Sequence, residues 1–286
     1  MFPPGECGTT HQCVANFLFP GGEVGTKLPV QVYKTPRTIG TASIIARIES
    51  SDDLMCLANT VDIVRSRGYG NIQCAIPYFP YARQDRQTDP QEAFSLRAFA
   101  GLINSLHLNR IYSFDCHSDV TPAIVNNLVN VPHLDLFIET VRDFSNYQAV
   151  VSPDAGAAKK VNAVATYTSL PMIVGTKSRD TATGRLSRFE VHENAVPDRV
   201  LIVDDICDGG RTFTGLAKIL RDKGAKYIGL YVTHGIFSAG LPALSPDIDA
   251  IYTTDSRTNA VRSTAGSLKY HVGQTDQLIE RIFSQF

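Results

Sequence analysis

The sequence predicts an α/β protein of two tandem domains, each with a mainly parallel sheet flanked by helices. The chain has 286 residues, which is enough for two ordinary α/β domains with separate cores. Short apolar segments alternate with segments of helical periodicity along most of the chain, the pattern of parallel sheets covered on both faces. The stretch from Val200 to Lys223 reads as a strand, a short loop and a helix in direct succession.

The first half begins with a short segment, Cys13 to Phe19, and then alternates between strands and helices. Ser51 is expected to be the N-cap of the first long helix. The predicted elements are a strand at 41–48, a helix at 52–67, a strand at 72–76, a helix at 95–106, a strand at 110–114 and a helix at 120–129. The segment 131–134, which contains Pro132, is expected to link the halves, so the predicted domains are 1–133 and 134–286.

The second half continues the same alternation. Its predicted elements are a helix at 136–144, a strand at 149–151, a helix at 156–167, a strand at 172–175, a polar hairpin, a strand at 200–203 and a helix at 212–223. Two similar α/β halves in tandem are the simplest architecture that this order allows.

Composition and charge exclude several classes of function. The formal net charge of −1 gives no electrostatic reason to expect nucleic acid as the main partner. No apolar run is long enough for a membrane span, and the first residues lack a secretory signal pattern. The six cysteines form no CxxC pair, which favours reduced, mostly buried thiols. We therefore expect a cytoplasmic protein with no membrane partner.

The loop between the strand at 200–203 and the following helix carries two kinds of chemistry. The carboxylates of Asp204 and Asp205 can contact ribose hydroxyls or, through water, Mg²⁺. Gly209 and Gly210 let an anion approach backbone N–H groups at the start of the helix. A lone acid pair or glycine pair usually only turns the chain, but the combination in this order points to a sugar phosphate.

These residues resemble the phosphoribosyl-diphosphate motif of type I phosphoribosyltransferases and ribose-phosphate diphosphokinases. The resemblance implies a phosphoribosyltransferase-like fold for both domains, with acids that hold ribose hydroxyls and a loop that holds the 5-phosphate. The ribose-phosphate residues that it implies are Asp204, Asp205, Asp208, Gly209, Gly210, Arg211 and Thr212. Arg211 departs from the pattern, because the family usually has glycine there.

A second segment, IPYFPYARQDR at 76–86, distinguishes between these two families. From chemistry alone, its aromatic rings could stack on a purine while Arg83 and Gln84 reach the phosphates, although a strand followed by a solvated loop explains it equally well. The segment closely resembles the ATP-binding signature of ribose-phosphate diphosphokinases, which transferases of the same fold lack. The resemblance implies that Arg83, Gln84 and Asp85 bind ATP.

Two further segments of the first half fit the same family. FPGGE at 19–23 resembles its adenine-contacting segment, which implies that Phe19 and Glu23 bind ATP. FDCHSD at 114–119 resembles its Asp-Leu-His motif, which implies that His117 contacts Mg²⁺ and the reacting phosphates. A lone histidine at a strand end is more often structural, so the position of His117 in the series of motifs carries its assignment.

Two segments of the second half complete the series. SPDAGAAKK at 152–160 resembles the diphosphate loop, which implies that Asp154 binds the metal or the ribose and that Gly156 opens the loop. GTKSRD at 175–180, followed by the turn at Thr183 and Gly184, resembles the mobile catalytic hairpin. Lys177 and Arg179 are then the catalytic cations, suited to a reaction whose transition state spreads negative charge over phosphoryl oxygens.

The resemblance extends from Phe19 to the end of the chain, including THGIFSAG at 233–240 and TTDS at 253–256. It implies Mg²⁺-dependent transfer of the diphosphoryl group of ATP to the C1 hydroxyl of ribose 5-phosphate, by a homo-oligomer such as a dimer or hexamer. Its partners would be small-molecule substrates. Gln91, where regulated members have arginine, weakens the expectation of control by phosphate and ADP.

Three alternatives remain open from the sequence. Arg211 and the preceding glycines could reshape the acceptor pocket for ADP-ribose, which has the same free C1 hydroxyl. The chain could instead be a phosphoribosyltransferase, although the segment at 76–86 speaks against that. It could also be a non-catalytic partner of a synthetase, although Lys177, Arg179, His117 and Asp154 are all present.

Overall fold

The structure is a computed structural model that describes residues 14–28, 40–179, 186–258 and 268–284, with the backbone alone at 177–179 and 186–189. The chain divides into two compact units. The first comprises Met1–Asn130 and Ile279–Phe286, and the second comprises Val131–Leu278. Strands that are mainly parallel, flanked by helices, form the α/β architecture that the sequence predicts.

The first unit contains a hairpin and a four-stranded sheet of order β3-β4-β5-β6, in which β3, β4 and β5 are parallel. The strands are β1 (Ala15–Leu18), β2 (Val24–Lys27), β3 (Thr41–Ile45), β4 (Asn71–Ala75), β5 (Arg110–Phe114) and β6 (Leu128–Val131, whose last residue belongs to the second unit). The helices are α1 (Ser51–Ser66), α2 (Ser95–Ser105) and α3 (Val120–Ile124).

The start of α1 shows how local chemistry sets an element boundary. The Ser50 hydroxyl accepts a hydrogen bond from the Asp53 backbone N–H, and Asp53 Oδ2 accepts one from the Ser50 N–H at 2.8 Å. This reciprocal capping box satisfies two N–H groups that the first turn would otherwise leave unbonded. The N-cap is therefore Ser50, and the prediction of Ser51 was wrong by one residue.

The second unit contains a seven-stranded sheet of order β13-β12-β11-β10-β7-β8-β9, parallel except for the β8–β9 pair. Its strands are β7 (Ala149–Ser152), β8 (Met172–Arg179), β9 (Leu186–Val191), β10 (Arg199–Cys207), β11 (Tyr227–Gly235), β12 (Ala250–Thr254) and β13 (Lys269–Gly273). Its helices are α4 (His133–Thr140), α5 (Ala158–Thr168), α6 (Arg211–Asp222) and the first residues of α7 (Asp276–Ser284).

The strand order of this sheet has a reversal between β7 and β10. From β7 the chain runs outward through β8 and β9, then returns to β10 on the other side of β7 and continues outward through β11, β12 and β13. Ligands of open α/β sheets bind at the carboxyl ends of the two strands that flank such a reversal. The loops that follow β7 and β10 are therefore the expected binding loops.

Packing against α6 fixes the orientation of the loop that follows β10. The apolar stripe of α6 is buried against one face of the sheet and comprises Phe213, Leu216, Ala217 and Leu220. The other face of the sheet packs against side chains of α4 and α5 such as Phe137 and Val161. Both faces are covered, as a parallel sheet requires.

Several elements differ from the sequence-based expectation, among them the following three. The predicted helix at 120–129 ends at Ile124, and the chain then passes through Asn127, with φ of 58°, into β6. The strand predicted at 200–203 extends as β10 to Cys207. The segment after Cys13 forms β1 of a hairpin that the sequence pattern did not predict.

The cysteines in the described part of the chain behave as expected. Cys56, Cys74, Cys116 and Cys207 are buried and form no disulfide with one another. Cys7 and Cys13 lie outside the described residues.

Candidate active site

The acid pair lies on β10, at the point where that strand loses its neighbour on one side. β10 pairs with β7 only as far as Ile202 opposite Val151, but it pairs with β11 as far as Cys207. Asp204 and Asp205 therefore occupy a paired strand end beside the reversal point of the sheet. The backbone that carries these two carboxylates is therefore held by strand pairing and is not part of a loop.

Burial and mutual repulsion dominate the electrostatics of this pair. Burial raises the pKa of Asp204 well above its usual value, and the negative charges of Asp205 and Asp154 act in the same direction. The backbone N–H of Asp205, which donates to Asp204 Oδ1 at 2.9 Å, and the charge of Lys160 oppose this rise in pKa. The site carries more acid than its own cation neutralises.

Lys160 is that cation. Its Nζ atom lies 2.9 Å from Asp205 Oδ2, and the two side chains are only 24% and 9% exposed. Lys160 belongs to α5, which starts directly after the β7 loop, so the ion pair ties the β7 loop to β10. Removing one partner of so buried a pair leaves an uncompensated charge, which is costly.

The β7 loop holds Asp154 in a fixed orientation. Asp154 Oδ1 accepts hydrogen bonds from the backbone N–H groups of Gly156 and Ala157, at 2.9 and 3.1 Å. The Ser152 hydroxyl donates to the Asp154 carbonyl oxygen at 2.7 Å. Asp154 is therefore anchored at the edge of the site, close enough to Asp204 for the two charges to repel.

The loop after β10 is short and opens onto the start of α6. Gly210 has φ of 79°, and a Cβ atom there would lie 2.7 Å from Leu244 Cδ2, so glycine is required on two grounds. At Gly209 a Cβ atom would meet nothing closer than Ser238 Oγ at 3.8 Å. The N-cap residue of α6 is Gly210, which has no side chain to cap the helix, and N–H groups at a helix N-terminus suit an anion.

The remaining loop residues surround this position. Asp208 immediately follows β10, and its Oδ1 atom accepts a hydrogen bond from the Ser238 hydroxyl at 2.7 Å. Arg211 is the first residue of α6 and is exposed, and Thr212 follows it. Acids, backbone N–H groups and a guanidinium thus lie within one short stretch.

The hairpin of β8 and β9 extends beyond the sheet. β8 pairs with β7 as far as Val174 and then continues as an antiparallel hairpin, with Lys177 opposite Phe189. The register shifts between Ser178 and Arg179. The hairpin carries the backbone of both predicted catalytic cations, whose side chains lie outside the described atoms, as do Asp180, Thr183 and Gly184.

In the first unit, Phe19 and Glu23 lie together at the turn of the β1–β2 hairpin. The Phe19 N–H donates to the Glu23 carbonyl oxygen at 2.9 Å. The rings of Phe17 and Phe19 are 5.0 Å apart and about half exposed, at 48% and 50%. An exposed aromatic pair beside a carboxylate is suited to a nucleobase.

The predicted ATP segment after β4 separates into exposed and buried residues. Arg83 and Gln84 are exposed, and Tyr81 is 48% exposed with φ of 62°. Phe79 is buried against Phe99, with ring centroids 5.3 Å apart. Of the three aromatic residues in the segment, Phe79 therefore belongs to the core and has no face for a purine.

Asp85 is buried and lies beside the loop that carries His117. Burial alone would raise its pKa, but hydrogen bonding to Ser118 and Arg86, with the charges of Arg86 and His117, lowers it overall. Arg86 Nε lies 3.0 Å from Asp85 Oδ1. The structure thus brings the predicted ATP segment and His117 together in one unit, with Asp85 packed between them and His117 exposed.

Comparison with known proteins gives matches in both halves of the chain. Residues 29–106 match the model of the N-terminal domain of ribose phosphate pyrophosphokinase, and residues 135–261 match the phosphoribosyl transferase domain. A ribose-phosphate pyrophosphokinase of Granulibacter bethesdensis is 32% identical over 223 residues, which cover 74% of this chain and 71% of that protein. The chain belongs to the ribose-phosphate pyrophosphokinase family.

Other members of the ribose-phosphate pyrophosphokinase family match over different shares of their length. The Thermococcus kodakarensis protein is 30% identical over 240 residues, which cover 83% of each chain. The match to the Porphyromonas gingivalis protein, 30% identical over 194 residues, covers 66% of this chain and 61% of that one. The crystal structure of phosphoribosylpyrophosphate synthetase from Mycobacterium smegmatis superposes with a TM-score of 0.76 at 20% identity, covering 96% of this chain and 91% of that chain, which supports the fold.

The acid-rich site of this family member fits Mg²⁺. The described residues contain no group of three or more histidine, cysteine or acidic side chains placed to enclose a metal. Mg²⁺ does not need such a group, because it keeps several waters and binds through one or two carboxylates and substrate phosphates. The carboxylates of Asp205 and Asp154, which after burial contribute to the raised pKa of Asp204, provide electrostatic attraction for a divalent cation.

Two residues of this site were not singled out from the sequence. Lys160 is the second lysine of SPDAGAAKK, and Ser238 lies in THGIFSAG, so both were within quoted segments. A lysine on the first turns of a helix and a serine in a loop carry no specific signal on their own. Only the three-dimensional structure shows that Lys160 contacts Asp205 and that Ser238 contacts Asp208.

None of the described helices combines the length and the apolar character that crossing a membrane would require.

Proposed function

We propose that this protein transfers the β,γ-diphosphoryl group of ATP to the C1 hydroxyl of ribose 5-phosphate, giving 5-phosphoribosyl 1-diphosphate and AMP. The observation that carries the proposal is the Asp204–Asp205 pair near the end of β10, followed by a short loop and the N-terminus of α6, at the reversal point of the sheet. Carboxylates for sugar hydroxyls and N–H groups for a phosphate follow each other in the order that ribose 5-phosphate needs.

We assign the acceptor to the second unit. Asp204, Asp205 and Asp208 accept hydrogen bonds from ribose hydroxyls, and the N–H groups from Gly209 to Thr212 hold the 5-phosphate. Asp154, on the loop after β7, binds the ribose or the metal. Gly156 leaves that loop open. Charge-assisted hydrogen bonds of this kind are the strong ones in ligand binding.

We assign the nucleotide to the first unit. The adenine would stack near Phe19 and hydrogen-bond to Glu23, and Arg83 and Gln84 would contact the phosphates. Asp85 is buried, so its part in ATP binding is best explained as support for the exposed residues on either side of it. His117 would contact the reacting phosphates.

The proposed reaction is an in-line displacement at the β-phosphorus. The C1 oxygen bonds to the β-phosphorus, the bond from that phosphorus to the α,β-bridging oxygen breaks, AMP leaves, and the hydroxyl proton passes to solvent. Lys177 and Arg179 neutralise charge on the transferred group and exclude water. Mg²⁺ would further neutralise phosphate charge, and Asp154 and His117 are the residues proposed to contact it.

ADP-ribose is a second candidate acceptor, because of two features of the loop. Arg211 is exposed on the first turn of α6, and the side of Gly209 is open. A guanidinium there could bind the second phosphate of a diphosphate. The same diphosphoryl transfer would then yield ADP-ribose diphosphate and AMP.

Steady-state assays that quantify AMP by chromatography test the proposal and separate the acceptors. We expect AMP release with ribose 5-phosphate in the presence of Mg·ATP, and little with ADP-ribose. Arg211→Gly should leave this preference unchanged, as should the control Lys218→Ala, an exposed cation elsewhere on α6. A switch of acceptor in Arg211→Gly alone would make Arg211 the selector.

Two results would redirect the proposal. Binding of ribose 5-phosphate without binding of ATP would favour a phosphoribosyltransferase. Binding of both ligands without AMP release would favour a non-catalytic synthetase-associated regulator. Light scattering after size exclusion tests the further proposal that the protein is a homo-oligomer, a dimer or a hexamer.

A further inference from the structure

The loop that follows β11 is bonded to the end of β10. The backbone N–H groups of Ile236 and Phe237 both donate to the Cys207 carbonyl oxygen, at 2.8 and 3.1 Å. Cys207 is the last residue of β10 and immediately precedes Asp208. The segment 236–240 is thereby fixed beside the loop to which we assign the 5-phosphate.

The buried side chain of Phe237 also constrains the conformation of this segment. Phe237 has φ of 48°, which is uncommon for a residue other than glycine, and its ring is buried 6.2 Å from the ring of Tyr270. A Cβ atom at Gly235 would lie 2.1 Å from the Phe237 ring, so this ring packs flat on the strand end. Ser238 directly follows this buried residue and is exposed.

The side chain of Ser238 is hydrogen-bonded to the loop between β10 and α6 (residues 208–210), which we call the acceptor loop. Its hydroxyl donates to Asp208 Oδ1 at 2.7 Å, and it is the nearest atom to the open side of Gly209. In the comparable loop after β7, Asp154 Oδ1 accepts from N–H groups of its own loop. At Asp208 the corresponding oxygen accepts from a hydroxyl of a different loop.

We propose that Ser238 is a positioning residue for the acceptor, because its hydroxyl holds Asp208 in the orientation that binds the ribose. This inference rests on the proposed function of the site. The bond constrains the rotation of the Asp208 side chain and directs its second oxygen away from Ser238. Without the hydroxyl, Asp208 would lose this constraint on its orientation, and acceptor affinity would fall.

The test separates acceptor binding from ATP binding. A hydrogen bond to a charged group contributes enough that its loss should raise the KM for ribose 5-phosphate roughly tenfold. We expect this in Ser238→Ala, with the KM for ATP unchanged and with recovery in Ser238→Thr, which keeps a hydroxyl. The control is Ser245→Ala, an exposed serine of the following segment whose hydroxyl donates to the Pro242 carbonyl oxygen at 3.1 Å.

A double-mutant cycle checks that Ser238 acts through Asp208. If it does, Asp208→Ala and the double variant Asp208→Ala/Ser238→Ala bind ribose 5-phosphate equally weakly in calorimetry without ATP. Additive losses, or an unchanged KM for ribose 5-phosphate in Ser238→Ala, would overturn the inference. Absence of AMP formation by the unmutated protein would instead overturn the proposed function, so the two failures are distinguishable.

Discussion

Asp204, a proposed ligand of the ribose, lowers the stability of the fold when it is charged. In the folded protein its pKa is raised by burial, then by its acidic neighbours, whereas in the unfolded chain it is an ordinary carboxyl. The folded state therefore holds the proton more tightly. Its contribution to stability is complete below the unfolded pKa and is lost as the pH rises through the folded pKa.

We therefore predict that Asp204→Asn stabilises the metal-free protein at pH 8 and abolishes ribose 5-phosphate binding. The melting temperature in the presence of chelator should rise by about 2–4 °C at pH 8, with little change near pH 4. Lys160→Met should have the opposite effect at pH 8, because it removes the cation from the acid cluster. A lower melting temperature for Asp204→Asn at pH 8 would contradict this electrostatic description.

The adjacent glycines of the acceptor loop should respond differently to the same substitution. Gly210→Ala forces a Cβ atom into a left-handed backbone and against Leu244, so we expect a loss of about 2 kcal/mol in the free energy of unfolding. Gly209→Ala makes only an ordinary contact with Ser238 Oγ, so stability should stay within about 0.5 kcal/mol while ribose 5-phosphate affinity falls. Urea unfolding and calorimetry measure the two quantities, and equal destabilisation by both variants would refute the distinction.

Among the elements, the β8–β9 hairpin carries the proposed catalytic cations. We predict that Lys177→Ala and Arg179→Ala each lower kcat by about 10²-fold or more, because each removes a charge that stabilises the transition state. Their melting temperatures should match that of the unmutated protein. The control is Lys226→Ala, which removes an exposed cation paired with Asp198. Near-normal kcat in both hairpin variants would remove the hairpin from the mechanism.

Element boundaries were predictable wherever their cause is local. Two consecutive serines lie at the start of α1, but only Ser50 has an acid three residues later, at Asp53, so the capping box was already visible in the sequence. β5 was predicted with its observed ends, because an apolar run between polar residues defines it. The left-handed turn at Asn127 converts the end of a predicted helix into β6, and a single asparagine gives only a weak signal of that turn.

Boundaries set by distant partners were not predictable in the same way. β10 continues to Cys207 because β11 offers backbone partners as far as Gly235, and a single sequence does not reveal that pairing. The same limit applies within the site. Asp204, Asp205 and Asp208 stand out in the sequence as acids at a strand end, whereas Lys160 and Ser238 become recognisable only through the side chains that they contact.

At the level of the whole chain, the proposed function needs both units, and each unit is assigned one of the two substrates. The second unit has the sheet reversal, the acids of β10 and the loop before α6, which together fit a ribose phosphate. The first unit has the hairpin aromatics, the exposed Arg83 and the His117 loop, which fit a nucleotide. The functional boundary at 133/134 stays a prediction, and the compact units assign Ile279–Phe286 to the first of them.

The last helix, α7, is divided between the two units, so a single position in the sequence does not separate them. α7 begins in the second unit, but the ring of Phe283 packs 5.8 Å from that of Tyr112 in the first. The Gln73 amide also donates to the Phe283 carbonyl oxygen, at 3.5 Å. The C-terminal residues therefore support the core of the first unit, although they follow the second unit in the sequence.

Phosphorus NMR of the purified protein with Mg·ATP and ribose 5-phosphate, with AMP quantified in parallel, tests the proposed reaction itself. We predict that the ATP signals are replaced by AMP and by the two signals of a diphosphate on the sugar C1, in equal amounts and without orthophosphate. The same spectra with ADP-ribose as sole acceptor should show unchanged ATP. AMP release only with ADP-ribose would correct the acceptor, and no AMP with either acceptor would contradict the assigned function.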